Sequence, residues 1–187
     1  PLQKYYKEVN SDVVKKLDKR IRESLNNLNS TSNNSSSPSG ISQHQNIAEE
    51  KPSVQEEIIG LLQNKQFENA FTKVLSVHDS SFVVWACKHV HPDVVFTSNI
   101  APLSQAVILS LMQQLSVDLS SDIDLKLDWI QRAALALNPL DPLIADFIPP
   151  VLSHIHQQIS IASSQNPNYS QLCRMTINVI NSLTQRK

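Results

Sequence analysis

The chain has 187 residues, 41% of them hydrophobic, with 16 Lys+Arg against 17 Asp+Glu and a formal net charge of -1. That length can bury the core of one ordinary domain plus an appendage, and the near-neutral balance is far from the basic excess of a general nucleic-acid binder. Only 2 glycines occur, which argues against dinucleotide loops, phosphate-binding loops and strand-rich folds, all of which spend glycine on turns with positive φ. The composition predicts an all-α protein.

In chain order, residues 2–29 predict a single helix. Tyr5, Val9, Val13, Leu17, Ile21, Leu25 and Leu28 recur by fours and one three, a stripe that spirals slowly round the helix and needs a partner. That partner is either the domain that follows or another copy, with Val9, Val13, Leu17 and Ile21 as the self-association candidates. Because the chain opens at Pro1, it reads as cut from a longer one, with this helix compatible with the end of an upstream coiled coil. Residues 1–29 hold 7 basic and 4 acidic side chains, whereas 52–187 hold 8 and 11. Residues 30–51 are rich in serine and asparagine and poor in large apolar groups. Such a segment buries too little to offset its ordering entropy, so a flexible linker or surface loop is expected there.

From residue 52 to 187 the punctuation is that of short helices. Ser53 and Glu56 form a capping box ahead of Val54, Ile58, Leu61 and Leu62, and this helix should end near Asn64. Phe67, Ala70, Phe71, Val74 and Leu75 mark the next helix. Asp79 caps a third, through Phe82, Val83, Ala86, Cys87 and Val90, which His91-Pro92 stops. Ser104 caps a longer one whose Val107, Ile108, Leu111, Met112, Leu115 and Leu119 share a stripe, and whose opposite side, with Ala106, Leu109 and Val117, is too apolar for a surface helix. It should lie inside a stack. A helix over Ile123–Leu137 follows. Asp141-Pro142 reads as a cap with proline in the first helical position, and the stripe from Leu143 to Ile159 keeps phase across Pro149-Pro150, which should split it into two helices. Asn166-Pro167 opens the last helix, with Leu172, Met175, Ile177, Val179, Ile180 and Leu183 apolar.

Seven or eight helices joined in pairs by short connections fit an armadillo or HEAT-like right-handed stack better than a four-helix bundle, with residues 1–29 as an additional long amphipathic helix. No exact repeat of ~40 residues is visible.

The sequence offers little chemistry. Cys87 and Cys173 sit inside apolar helical patterns and read as buried free thiols of a reducing compartment. His78, Asp79, His89 and His91 cluster in sequence, but His89 and His91 are two apart and diverge, as do His154 and His156, so neither pair has metal-ligand spacing. Neither a catalytic residue, a cofactor site nor a metal site is expected. Trp85 and Trp129 are expected mainly in core packing. On the polar sides of two adjacent helices stand Gln105, Gln113 and Gln114, and then Lys126, Asp128 and Arg132. These six are the candidates for a partner-binding surface of exposed hydrogen-bonding groups, with a merely solvated face as the bland alternative. No apolar run approaches the ~18 residues of a membrane span, and a soluble, cytoplasmic protein is expected.

A set of short motifs gives a sharper reading. Pro102-Leu103-Ser104-Gln105, Leu109-Ser110-Leu111, Gln113-Gln114-Leu115, Asp118-Leu119 and Asp124-Leu125-Lys126-Leu127, together with Asn69-Ala70-Phe71 upstream and Asp141-Pro142 downstream, run from about Ser53 to Ile159. They resemble the carboxy-terminal domain of enhancer of mRNA-decapping protein 4, the Hedls or Varicose family of scaffolds. The likeness departs at Trp85 and its neighbouring histidines. The resemblance implies an α-helical-repeat fold without an active site, serving as a protein-interaction module that gathers decapping factors in cytoplasmic processing bodies. Decapping enzyme and its activators are the implied partners. The alternative is RNA binding through Lys4, Lys7, Lys15, Lys16, Lys19, Arg20 and Arg22.

Overall fold

The computed structural model describes residues 53–77, 79–97 and 103–184, and among these every regular element is helical. The expected helix over 2–29 and linker over 30–51 lie outside the described residues, as does His78.

Local signals place the first helices. α1 (Val54–Gln63) starts at Ser53, whose hydroxyl accepts from the Glu56 amide at 3.3 Å while the Glu56 carboxylate accepts from the Ser53 amide at 2.8 Å. This reciprocal pair satisfies two amides that no turn of the helix can reach. Lys65, at φ 57°, turns the chain just beyond the end of α1. α2 (Phe67–Ser76) follows, then α3 (Ser80–Lys88), capped by Asp79 Oδ1, which accepts from the Ser81 amide at 2.9 Å. His91-Pro92 ends α3 as expected, but Pro92 also opens a short helix, α4 (Pro92–Thr97). Proline in a first turn loses no hydrogen bond, so the residue that stops one helix starts the next.

α5 (Gln105–Ser116), capped by Ser104, is the inner helix of the molecule. It packs on α2, on α3, on α6 (Ile123–Ala136) and on α7 (Ile148–Gln165). Its expected stripe is buried, and so are Leu109 and Ser110 on the other side. The mixed polarity of that second face reflects cover by neighbours on more than one side. One continuous core runs from Ile58 to Leu183, with Trp129 at its centre, tilted against Phe71 at 5.4 Å and edge-on to Phe96 at 5.8 Å.

Two expectations are corrected. Pro149 and Pro150 do not split a helix. They sit in the first turn of α7, where their missing amides have no intrahelical acceptor to lose. Asp141 instead holds a tight turn, accepting from the Leu143 amide through its side chain at 2.8 Å and from the Ala145 amide through its carbonyl at 2.9 Å. A 3-10 turn, Ala145–Phe147, completes the connection, and Leu143 stays 62% exposed instead of joining the core. The second correction concerns α8 (Ser170–Thr184), which follows another 3-10 turn, Pro167–Tyr169. Its inner line is Cys173, Thr176, Ile180 and Leu183, while Met175 is 52% exposed. Thr176 can occupy a core position because its hydroxyl donates to the Leu172 carbonyl at 2.9 Å and accepts from Gln131 Nε2 at 2.7 Å.

Candidate interaction surface

The six residues expected to form a binding face divide into two groups. The glutamines are turned to internal work. Gln105 spans the end of α6, its Nε2 donating to the Ala136 carbonyl at 3.4 Å and its Oε1 accepting from the Asn138 amide at 2.6 Å. Gln114 Nε2 donates to the Leu75 carbonyl in the last turn of α2 at 3.3 Å, and Gln113 is only 4% exposed. Helix ends leave carbonyls without intrahelical donors, and α5 supplies amide groups to two of its neighbours. Lys126 is likewise 4% exposed. Its ammonium donates to the Asp118 carbonyl at 2.7 Å and to the Ser121 hydroxyl at 3.4 Å, pinning the connection between α5 and α6. For Gln113 and Lys126 the expected exposed position is therefore corrected: both lie under neighbouring elements, where a buried polar group needs an internal partner.

Asp128 and Arg132 remain at the surface, with side chains 44% and 40% exposed. One turn apart on α6, they meet through Arg132 Nε and Asp128 Oδ1 at 3.4 Å, and Arg132 Nη1 also pairs with Asp93 on α4. The Asp93 amide donates to His91 Nδ1 at 3.3 Å. This guanidinium, flanked by two carboxylates, joins the short helix α4 to α6. Sequence reasoning found Asp128 and Arg132 but missed Asp93, which lies 39 positions from Arg132 and carries no local signal of the pairing.

Beside this cluster the surface is hollowed. Lys88, at the end of α3, pairs with Asp122 at 2.9 Å, bridging toward the start of α6. Lys88 lines two hollows, one of about 290 Å³ walled also by Trp85, Asp118 and Lys126, and one of about 420 Å³ walled by His91, Leu125 and Trp129. Trp85 is only partly buried, its indole stacked on Phe82 with centroids 5.1 Å apart and its other neighbour the His89 ring at 4.5 Å. The expected core role fits Trp129 but describes Trp85 only in part. The Asp118 carboxylate accepts from the Ser120 hydroxyl and amide, which hold its carboxyl below the ordinary range.

Burial pushes the Cys87 thiol far above its usual range, and the Cys173 thiol also upward, so both are held as protonated thiols. His89 bonds to the Trp85 carbonyl at 2.8 Å, and among the described residues no three His, Cys, Asp or Glu side chains gather as a metal site. No helix of the described residues is long and apolar enough to cross a membrane. Val9, Val13, Leu17 and Ile21, and the basic set from Lys4 to Arg22, lie outside the described residues.

Fold and surface together define an all-helical domain in which several polar side chains brace helix ends and the ion-pair cluster of Asp93, Asp128 and Arg132 stands beside a hollowed face. Residues 58–178 match the family model for enhancer of mRNA-decapping protein 4, C-terminal. The match covers more than half of the chain, and the chain belongs to that family. Enhancer of mRNA-decapping protein 4 from Xenopus laevis is 36% identical over 107 residues, 57% of this chain and 8% of the relative. The Homo sapiens protein is 37% identical over 105 residues, 56% of this chain and again 8% of the relative. The chain thus spans under a tenth of the length of these relatives. Among solved structures, the crystal structure of the conserved C-terminal region of Ge-1 superposes with a TM-score of 0.62 at 28% identity, covering 70% of this chain and 98% of that one.

Proposed function

We propose that this domain is a non-enzymatic interaction module of an mRNA-decapping scaffold, binding decapping factors and bringing them into cytoplasmic processing bodies. The observation that carries this reading is the family match over residues 58–178. We read the helices as an armadillo or HEAT-like stack, and such stacks bind partners along their faces. On this domain the partner face is the exposed cluster of Asp128 and Arg132, joined by Asp93. Its guanidinium supplies planar, bidentate recognition of a carboxylate once a partner displaces one of the internal acids.

The test is localisation of a fluorescently tagged chain of residues 1–187 beside a version lacking 1–29. Entry of both into decapping-enzyme foci is the expected result and assigns targeting to the helical domain. Loss with the shorter version alone moves targeting to the first segment, and failure of both overturns the reading.

A further inference from the structure

We propose that residues 2–29 dock, within the same chain, into the hollowed groove between the end of α3 and the first half of α6. The groove has the chemistry of a site for a basic amphipathic helix. Its apolar part is in two pieces: Val84 and Trp85 in the smaller hollow, whose other walls are polar, and Val90, Leu125 and Trp129 in the larger. Each hollow, at about 290 and 420 Å³, takes anchoring side chains of a helix, and Lys88 lines both.

The surroundings are acidic. Asp118, Asp122 and Asp128 line the hollows, with Asp93 paired to Arg132 beside them, against Lys88, Lys126 and Arg132. All three bases are already engaged: Lys88 with Asp122, Arg132 with Asp93 and Asp128, and Lys126 in its buried bonds to the Asp118 carbonyl and Ser121. The face therefore keeps four carboxylates against three bases over a partly apolar floor.

Residues 1–29 are its complement. They hold 7 basic and 4 acidic side chains and a stripe spaced by fours, whereas 52–187 hold 8 basic and 11 acidic. On a helix, Lys16 and Arg20 border the stripe beside Leu17 and Ile21, which places cations at the edge of an apolar seam. The tether permits docking in cis. Residues 30–52 reach up to about 75 Å when extended, whereas a domain of ~130 residues has a radius of gyration of about 14 Å. Tethering sets an effective concentration on the order of millimolar, above that of a second copy in dilute solution.

The experiment is zero-length carbodiimide cross-linking of the purified full chain, mixed with an isotope-labelled copy and mapped by mass spectrometry. Expected are links within one chain from Lys15, Lys16 or Lys19 to Asp122 or Asp128, falling about tenfold in Leu17→Ser/Ile21→Ser, which leaves the charge of the segment unchanged. That variant keeps every lysine and leaves residues 53–184 untouched. Links that persist in the variant mean charge attraction without docking and overturn the proposal. So do links only between labelled and unlabelled chains, links to Glu56, Glu68 or Asp146 instead, or none at all. The assay needs no decapping factor, so its result is separate from the fate of the scaffold reading.

Discussion

α5 and α6 pack against each other, and both carry polar residues on sides that a sequence pattern assigns to the surface; α5 turns its glutamines inward, whereas α6 turns Lys126 inward but keeps Asp128 and Arg132 outside. On α5, Gln105 and Gln114 donate to carbonyls at the ends of α6 and α2, and Gln113 is buried. On α6, Asp128 and Arg132 stay outside and pair with each other, and Arg132 also reaches across to Asp93 on α4. The difference lies in the neighbours. A helix covered on more than one side has no open face, so its polar groups turn to partners inside the protein, as the Gln114 amide nitrogen does while its buried Oε1 goes without one among the described residues. A helix with one open side can keep an ion pair in water, where the pair adds little to stability and stays available to a partner.

The strongest way to break this contrast is through the apolar seam. Leu111→Ala, at a fully buried position of α5, should cost about 2–5 kcal/mol by leaving a cavity, read as a lower urea midpoint with an unchanged slope; a loss below about 1 kcal/mol would mean that α5 is not the interior helix. Lys126→Met keeps the aliphatic stem but removes the donor to the Asp118 carbonyl, at an expected cost of about 1.5–3 kcal/mol. Were that lysine solvated, the same change would be silent. Gln105→Ala should cost about 1 kcal/mol, with faster amide exchange at Asn138, whose hydrogen bond it removes.

The smallest effect is a pH dependence. Burial holds His154 below its ordinary value of 6.5, so the unfolded chain binds the proton more readily than the folded one. Stability should therefore decline as pH falls below about 6.5, until the folded imidazole also protonates. In His154→Gln that component should vanish, and an equal slope in variant and parent would assign it elsewhere.

Much of the fold is legible because its signals are local. Ser53 with Glu56, Asp79 and Ser104 each cap the helix their spacing announces, and the stripe from Val107 to Leu115 is buried as its period requires. α4 escaped because a helix of one or two turns after a proline has too few residues to show a period. The proline pair misled because a continuous stripe hides where a helix begins, and α8 because Thr176 takes its inner position through bonds made partly by Gln131, 45 residues away. The candidate surface was half legible for the same reason. Asp128 and Arg132 announce each other one turn apart, but neither the burial of Gln113 nor the approach of Asp93 is written near those residues in sequence.

The most direct measurement replaces the exposed guanidinium while sparing the fold. Arg132→Gln, chosen because Glu would set a third carboxylate beside Asp93 and Asp128, would be compared with the parent for thermal unfolding and for capture of decapping enzyme from cells. The expected result is a Tm within about 4 °C of the parent and a clear loss of capture. Undiminished capture by a fully folded variant would contradict the assignment of the partner face to this cluster.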